Sequence, residues 1–380
     1  MVRTAMFADS VTYFDTAATV PMHPAARAAM IDAMDGDWAN ASSPHRLGRR
    51  VAGAVASHRK VVAGLMGTTP GRLVFTSGAT EALNAAIKSC AARRPTGRIV
   101  IGATEHKAAL AAALASADVV SVPVDCQGRP DLERADHLVG ESPCAALVLM
   151  AVNNETGVEV DTARVADIGR RHDVPTIVDA TQQLWRSPVL VDERGLDYVA
   201  VSAHKIGGPK GVGALVVPAG RPDFVPLLHG GDHEGGRRSG TINGPGIAGF
   251  AAAAAEVDRV PELEAVVERI FNRLSRAFGA GQVEWHAREA KRAPGFLNVR
   301  LIGIDADAMV STTPTVAFAT GSACQSDTPA PSHVLTAMGI SSAAADESVR
   351  ITPHPGQGLA EVDAATDALV ASAVRIKELQ

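Results

Sequence analysis

Lys205 closes the apolar run YVAVSAH and is followed by I-G-G-P-K-G, and Asp179 closes the run TIVDA one strand–loop–strand unit earlier. Two such strand ends meet at one sheet edge, where ligands of α/β sheets bind. A lysine ending a strand in isolation is a solvated cation. Here it sits among Ser202, His204 and glycines, and a lysine kept partly desolvated has a lowered pKa, which suits Schiff-base chemistry. A neighbouring aspartate is what a pyridinium nitrogen needs to stay protonated while the ring draws electrons from a substrate carbanion.

Thr76 to Glu81, T-S-G-A-T-E, follows the run LVF and opens a helical stretch. Free backbone N–H groups and about half a positive charge at a helix start make a phosphate cradle. A tight turn capped by Thr80 explains the same residues. GGPKGVG, from Gly207 to Gly213, lacks the G-K-[ST] ending of a nucleotide P-loop, so no ATP site is expected. Cys324 lies in T-G-S-A-C-Q-S-D-T-P-A-P-S, a small polar loop in which a thiol is either exposed and reactive or idle. Cys90, Cys126 and Cys144 read as inert, and His23, His58 and His137 as surface residues. His229, Asp232, His233 and Glu234 lack the spacing of a helical metal motif, and no metal is expected.

The elements that must position these groups alternate. LVFTSG, RIVIGA, VVSVPVD, AALVLMAVN, TIVDA, YVAVSA and GALVVP read as strands buried on both faces, separated by helices such as TEALNAAIKSCAAR, HKAALAAALASA and TARVADIGRRH. Repetition of strand and helix predicts right-handed crossovers and a mainly parallel, seven-stranded sheet in an α/β domain. Past the glycine-rich stretch His229–Gly246, PELEAVVERIFNRLSRAFGA is amphipathic, with Leu263, Val266, Val267, Ile270, Leu274 and Phe278 on one face. FLNVRLIG, TVAFATG and SVRIT, with a closing helix from Leu359, predict a smaller α+β unit. The expected division is a large domain over 15–258 and a small one built from 1–14 and 259–380.

At 380 residues the chain is long enough for two domains. Gly (35) and Pro (22) stay well below the roughly 25–30% of low-complexity chains, so the whole is expected to fold. A net charge of -5 offers no excess of cations for a phosphate backbone, which argues against nucleic-acid binding. Four scattered cysteines without a CxxC pair fit a reducing cytoplasm, and no apolar run reaches the roughly 20 residues of a membrane span.

Taken together, YFDTAAT, N-A-S-S-P-H (Asn40–His45), FTSGATEALNAAIK, TEHKA, VNNETG, VDATQ, SAHKIGGPKGVGAL, RRSGT, GSAC and PSHVL resemble the cysteine desulfurases. These are pyridoxal 5'-phosphate enzymes of aminotransferase class V and fold type I, and the match resembles their iron–sulfur-assembly and nitrogenase-associated branch. The resemblance implies that Lys205 carries the cofactor, Asp179 partners the pyridine nitrogen and His106 stacks on the ring as an acid–base helper. It implies that Asn154 and Gln182 lie near the ring hydroxyl and substrate, and that Ala79, Thr80, Ser202 and His204 bind the phosphate. Thr241 would reach the phosphate of a neighbouring subunit, implying a homodimer, and Arg350 would hold the substrate carboxylate. The implied reaction moves sulfur from L-cysteine to Cys324 as a persulfide for an acceptor protein, releasing L-alanine.

Rival readings are another class V enzyme, a selenocysteine lyase or an aminotransferase, and a scaffold without catalysis. The sequence departs from the family pattern at Asp232 and Gly235, at TPHPGQG after Arg350, and at Gln325 and Asp327. These departures bear on substrate entry and on the acceptor.

Overall fold

The structure is a computed structural model and describes residues 11–220, 223–258, 260–279, 281–320 and 331–379. Cys324, Gln325 and Asp327 lie outside the described residues. Strand β1 is Thr12–Tyr13. The seven expected runs then form β2 (Leu73–Thr76), β3 (Arg98–Gly102), β4 (Val119–Val122), β5 (Cys144–Val148), β6 (Thr176–Asp179), β7 (Tyr198–Ser202) and β8 (Gly213–Val216). They make one sheet in the order β2-β8-β7-β6-β5-β3-β4, parallel except for β8, which runs against both neighbours. Most of these strands are buried on both faces, because helices cover the sheet from each side. β6 and β7 are neighbours, with Asp179 in register with Ala200, so the strand ends bearing Asp179 and leading to Lys205 lie side by side.

β9 (Val283–Trp285), β10 (Leu297–Leu301), β12 (Ala319–Thr320) and β13 (Ser348–Ile351) form a second, antiparallel sheet in the order β12-β13-β10-β9. β11 (Val316–Ala317) instead pairs in parallel with β1. Phe14 is fully buried in the same core as Val267, Leu297, Ile351 and Leu369. The single run expected over TVAFATG is therefore two short strands in different sheets, divided at Phe318. The amphipathic helix runs from Glu262 to Phe278, with Leu263, Val267, Ile270, Phe271 and Leu274 buried.

Gly213 on β8 shows how tightly the layers meet. A Cβ there would lie 2.5 Å from the Val201 carbonyl oxygen and 2.7 Å from the Gly78 Cα, both backbone atoms that cannot swing aside. Only glycine lets β8 pass beneath the turn that opens the Ala79–Arg93 helix. Among the described residues, no helix is long and apolar enough to cross a membrane.

Candidate active site

Ala79, Thr80, His106, Asn154, Asp179, Gln182, Ser202, His204, Lys205 and Arg350 line a single cavity of about 500 Å³. Ten residues that lie hundreds of positions apart thus converge on one site. Thr241 is exposed and does not line this cavity. Asp15, Thr181, Glu81 and Lys210 do line it, although sequence reasoning gave them no role.

Lys205 sits in a short 3-10 turn, Ala203–Ile206, immediately after β7. Its Nζ donates to the carbonyl oxygens of Ala17, at 2.5 Å, and Ala18, at 2.7 Å. Asp179 is 7% exposed, and its Oδ1 accepts the Thr181 N–H at 2.9 Å. The Thr181 hydroxyl is buried and has no hydrogen-bond partner among the described residues. An orphaned buried hydroxyl next to a buried carboxylate is a feature that a bound polar group resolves.

Gly78 is the N-cap of the Ala79–Arg93 helix, and no side chain caps it. Thr80 therefore lies inside the first turn and is not its cap, so that part of the bland reading does not hold. Its first N–H groups keep their donor capacity, which with the helix dipole favours an anion. Glu81 in the same turn is neutralised by Arg238 Nε at 2.9 Å and accepts the Ser77 N–H at 2.7 Å. Burial raises its pKa and those hydrogen bonds outweigh it, leaving a net downward shift. Burial, helped by the Lys205 and Lys210 charges, pushes His204 down to about 4, so its imidazole is neutral. Its Nδ1 lies 3.1 Å from the Thr19 hydroxyl.

His106 caps the Lys107–Leu114 helix, its Nδ1 accepting the Ala108 N–H at 3.1 Å. Burial lowers its pKa; the Asp179 charge opposes this and the Lys205 charge adds to it. With Nδ1 engaged and the ring neutral, the proton resides on Nε2. The residue before it, Glu105, is 1% exposed, with its pKa raised well above the usual range by burial. Its Oε1 accepts the Met150 N–H at 2.6 Å, and its backbone oxygen accepts from His333 Nε2 at 2.9 Å.

Arg350, on β13, is buried and reaches across from the second sheet. It donates through Nη2 to Asp15 Oδ1, at 2.7 Å, and through Nη1 to the Asn154 carbonyl oxygen, at 3.0 Å. The planar guanidinium suits a carboxylate. The TPHPGQG departure beyond it forms a closed turn, with Pro353 O accepting from the Thr16 hydroxyl at 3.2 Å and the His354 N–H donating to Gln357 Oε1 at 2.8 Å.

Elsewhere, the surface reading of His23 and His58 needs correction. His23 and His58 are half-buried, and His23 caps the Pro24–Gly36 helix; His137 alone of the three is exposed. Cys90 and Cys144 are buried, but Cys126 is exposed. Glu234 is an ion-pair partner of Arg59, at 2.5 Å, and its Oε2 accepts the Phe75 N–H at 2.8 Å. Among the described residues, no group of three His, Cys, Asp or Glu side chains could hold a metal ion.

A lysine, a buried carboxylate, a neutral imidazole, an uncapped helix start and a buried arginine face one cavity. The class V aminotransferase family matches residues 12–364, and the chain belongs to it. A cysteine desulfurase of Frankia sp. (strain EuIK1) is 36% identical over 388 residues, spanning 97% of this chain and 92% of that protein. A solved NifS-like protein from Rickettsia africae ESF-5 superimposes with a TM-score of 0.85 at 27% identity, covering 95% of this chain and 99% of that one. SspA in complex with cysteine gives a TM-score of 0.81 at 28% identity, covering 92% of this chain and 100% of that one.

Proposed function

We propose that the chain is a cysteine desulfurase that uses pyridoxal 5'-phosphate, transferring sulfur from L-cysteine to Cys324 and releasing L-alanine. The observation that carries this is the convergence of Lys205, Asp179, His106 and Arg350 on the cavity that holds the uncapped helix start. Bound there, the cofactor supplies an electron sink for a carbanion at the substrate Cα. Lys205 is the residue that would hold it covalently and, as a released amine, move the Cα proton. Asp179 holds a proton at the ring nitrogen. Ala79, Thr80, Ser202 and His204 take the phosphate, and the Asn154 and Gln182 side chains serve the ring oxygen and the substrate.

Arg350 receives the substrate carboxylate in exchange for its contact with Asp15. His106, its Nδ1 held by the Ala108 N–H, would offer its Nε2 proton to the ring. As a thiolate, Cys324 attacks the substrate sulfur; the new S–S bond forms as the Cβ–S bond breaks, and its electrons pass to the substrate carbon skeleton, which is protonated to alanine. The sulfur then goes to an acceptor protein. Thr241, outside the cavity of its own chain, fits service to a second copy, and the working unit is a homodimer. Cys324→Ser supplied with pyridoxal phosphate and L-cysteine is the test. The proposal expects the cofactor to stay bound and alanine release to fall to near background. Undiminished alanine release would overturn the role of Cys324.

A further inference from the structure

Arg186 is 3% exposed, and each of its polar partners is neutral. Nε donates to the Pro294 carbonyl oxygen at 3.1 Å, Nη2 to the Thr16 hydroxyl at 3.4 Å, and Nη1 to Gln182 Oε1 at 3.1 Å, with a longer 3.5 Å contact to Gln182 O. The guanidinium carbon lies over the rings of Trp185, at 4.4 Å from the centroid, and Phe296, at 4.3 Å. Among the described residues it makes no ion pair. Burial, with a smaller push from the Arg350 charge, drives its pKa down to about 9, which leaves it cationic at neutral pH. A buried cation without a carboxylate is expensive, and here neutral oxygens and two ring faces are what offset the cost.

Its partner Gln182 lines the cavity. The Gln182 Nε2 donates to the Ala17 carbonyl oxygen at 2.8 Å, the same oxygen that accepts from Lys205 Nζ. The two ends of a side-chain amide have nearly the same shape, and only the donors and acceptors around them decide which way it faces. A reversed Gln182 would set N–H against the guanidinium and oxygen against the Ala17 oxygen. Held as it is, Oε1 is occupied and Nε2 retains a second hydrogen.

We propose that Arg186 is a positioning residue that locks the Gln182 amide so that a donor, and not an acceptor, is offered to the anionic oxygen of the cofactor ring. This rests on the pyridoxal phosphate reading. A cofactor joined to lysine absorbs in the near-visible, and its band moves as the linkage gains or loses a proton; a donor to the ring oxygen favours the deprotonated form.

The test is a pH titration of that band in the cofactor-loaded protein. Arg186→Met should raise the midpoint by about one pH unit, the value of one hydrogen bond. Gln182→Leu should raise it comparably, and the double variant no further than Gln182→Leu alone. Arg186→Lys, which guards against misfolding of the methionine variant, keeps the cation but loses the planar fork, and should raise the midpoint by a smaller amount. An unchanged midpoint in Arg186→Met or in Arg186→Lys, or full addition of the two shifts in the double variant, would overturn the inference. Absence of the band from the parent protein would instead sink the cofactor reading itself.

Discussion

Glu155, in the VNNETG turn, is 7% exposed, and its Oε2 accepts from the Ser332 hydroxyl at 2.5 Å. Burial pushes its pKa from 4.5 to about 7, against the pull of that hydrogen bond and of the Arg350 and Lys107 charges. The folded chain therefore binds the proton more tightly than the unfolded chain does. The resulting stability is fully present below about pH 4.5 and is lost as the pH rises to about 7. Over that window the loss amounts to about 3 kcal/mol at about 1.4 kcal/mol per pH unit. Glu155→Gln keeps the shape and an acceptor for Ser332 but cannot ionise. Urea unfolding of parent and variant at matched pH values from 4.5 to 8 should show the variant gaining on the parent by about 3 kcal/mol, nearly all of it below pH 7.5. A difference between the two that stays constant across the window would refute the reasoning.

Arg350→Leu removes the guanidinium that bridges Asp15 and the Asn154 carbonyl. It should lower kcat/KM for L-cysteine about a hundredfold in steady-state alanine release, the value of a lost charge-assisted contact. Gly213→Ala forces a Cβ against the backbone of Val201 and Gly78. Thermal unfolding should show destabilisation of about 1–3 kcal/mol, and equilibrium dialysis should show weaker retention of pyridoxal phosphate.

The main sheet was legible because most of its strands are compact apolar runs buried on both faces, with Thr76, Asp179 and Ser202 as polar ends of β2, β6 and β7. Asp179 and Lys205 carried their meaning in that position. The helix Leu132–Glu141 was missed because only Ala135, Leu138 and Val139 form its buried stripe, although Asp131 caps it and Glu133 follows in its first turn. β9 is three residues long, too short for a periodicity to register. Asp15 lay in a quoted motif but has meaning only once β13 brings Arg350 to it from the far end of the chain.

Arg186, in Q-Q-L-W-R-S-P, has no signal at all in sequence, where an arginine reads as a surface cation. Its burial follows from Phe296 and Pro294, more than a hundred positions later, closing over it. His106 was found, but its helix-capping Nδ1 contact, which fixes the tautomer, depends on backbone geometry that sequence does not display.

Lys205 is the residue on which the whole account depends. The most direct measurement loads the parent and Lys205→Ala with pyridoxal phosphate, records their near-visible spectra and counts alanine released from L-cysteine. The account predicts a near-visible band and repeated turnover in the parent, with both lost in the variant. A variant that keeps its turnover, or a parent that binds no pyridoxal phosphate, would contradict it.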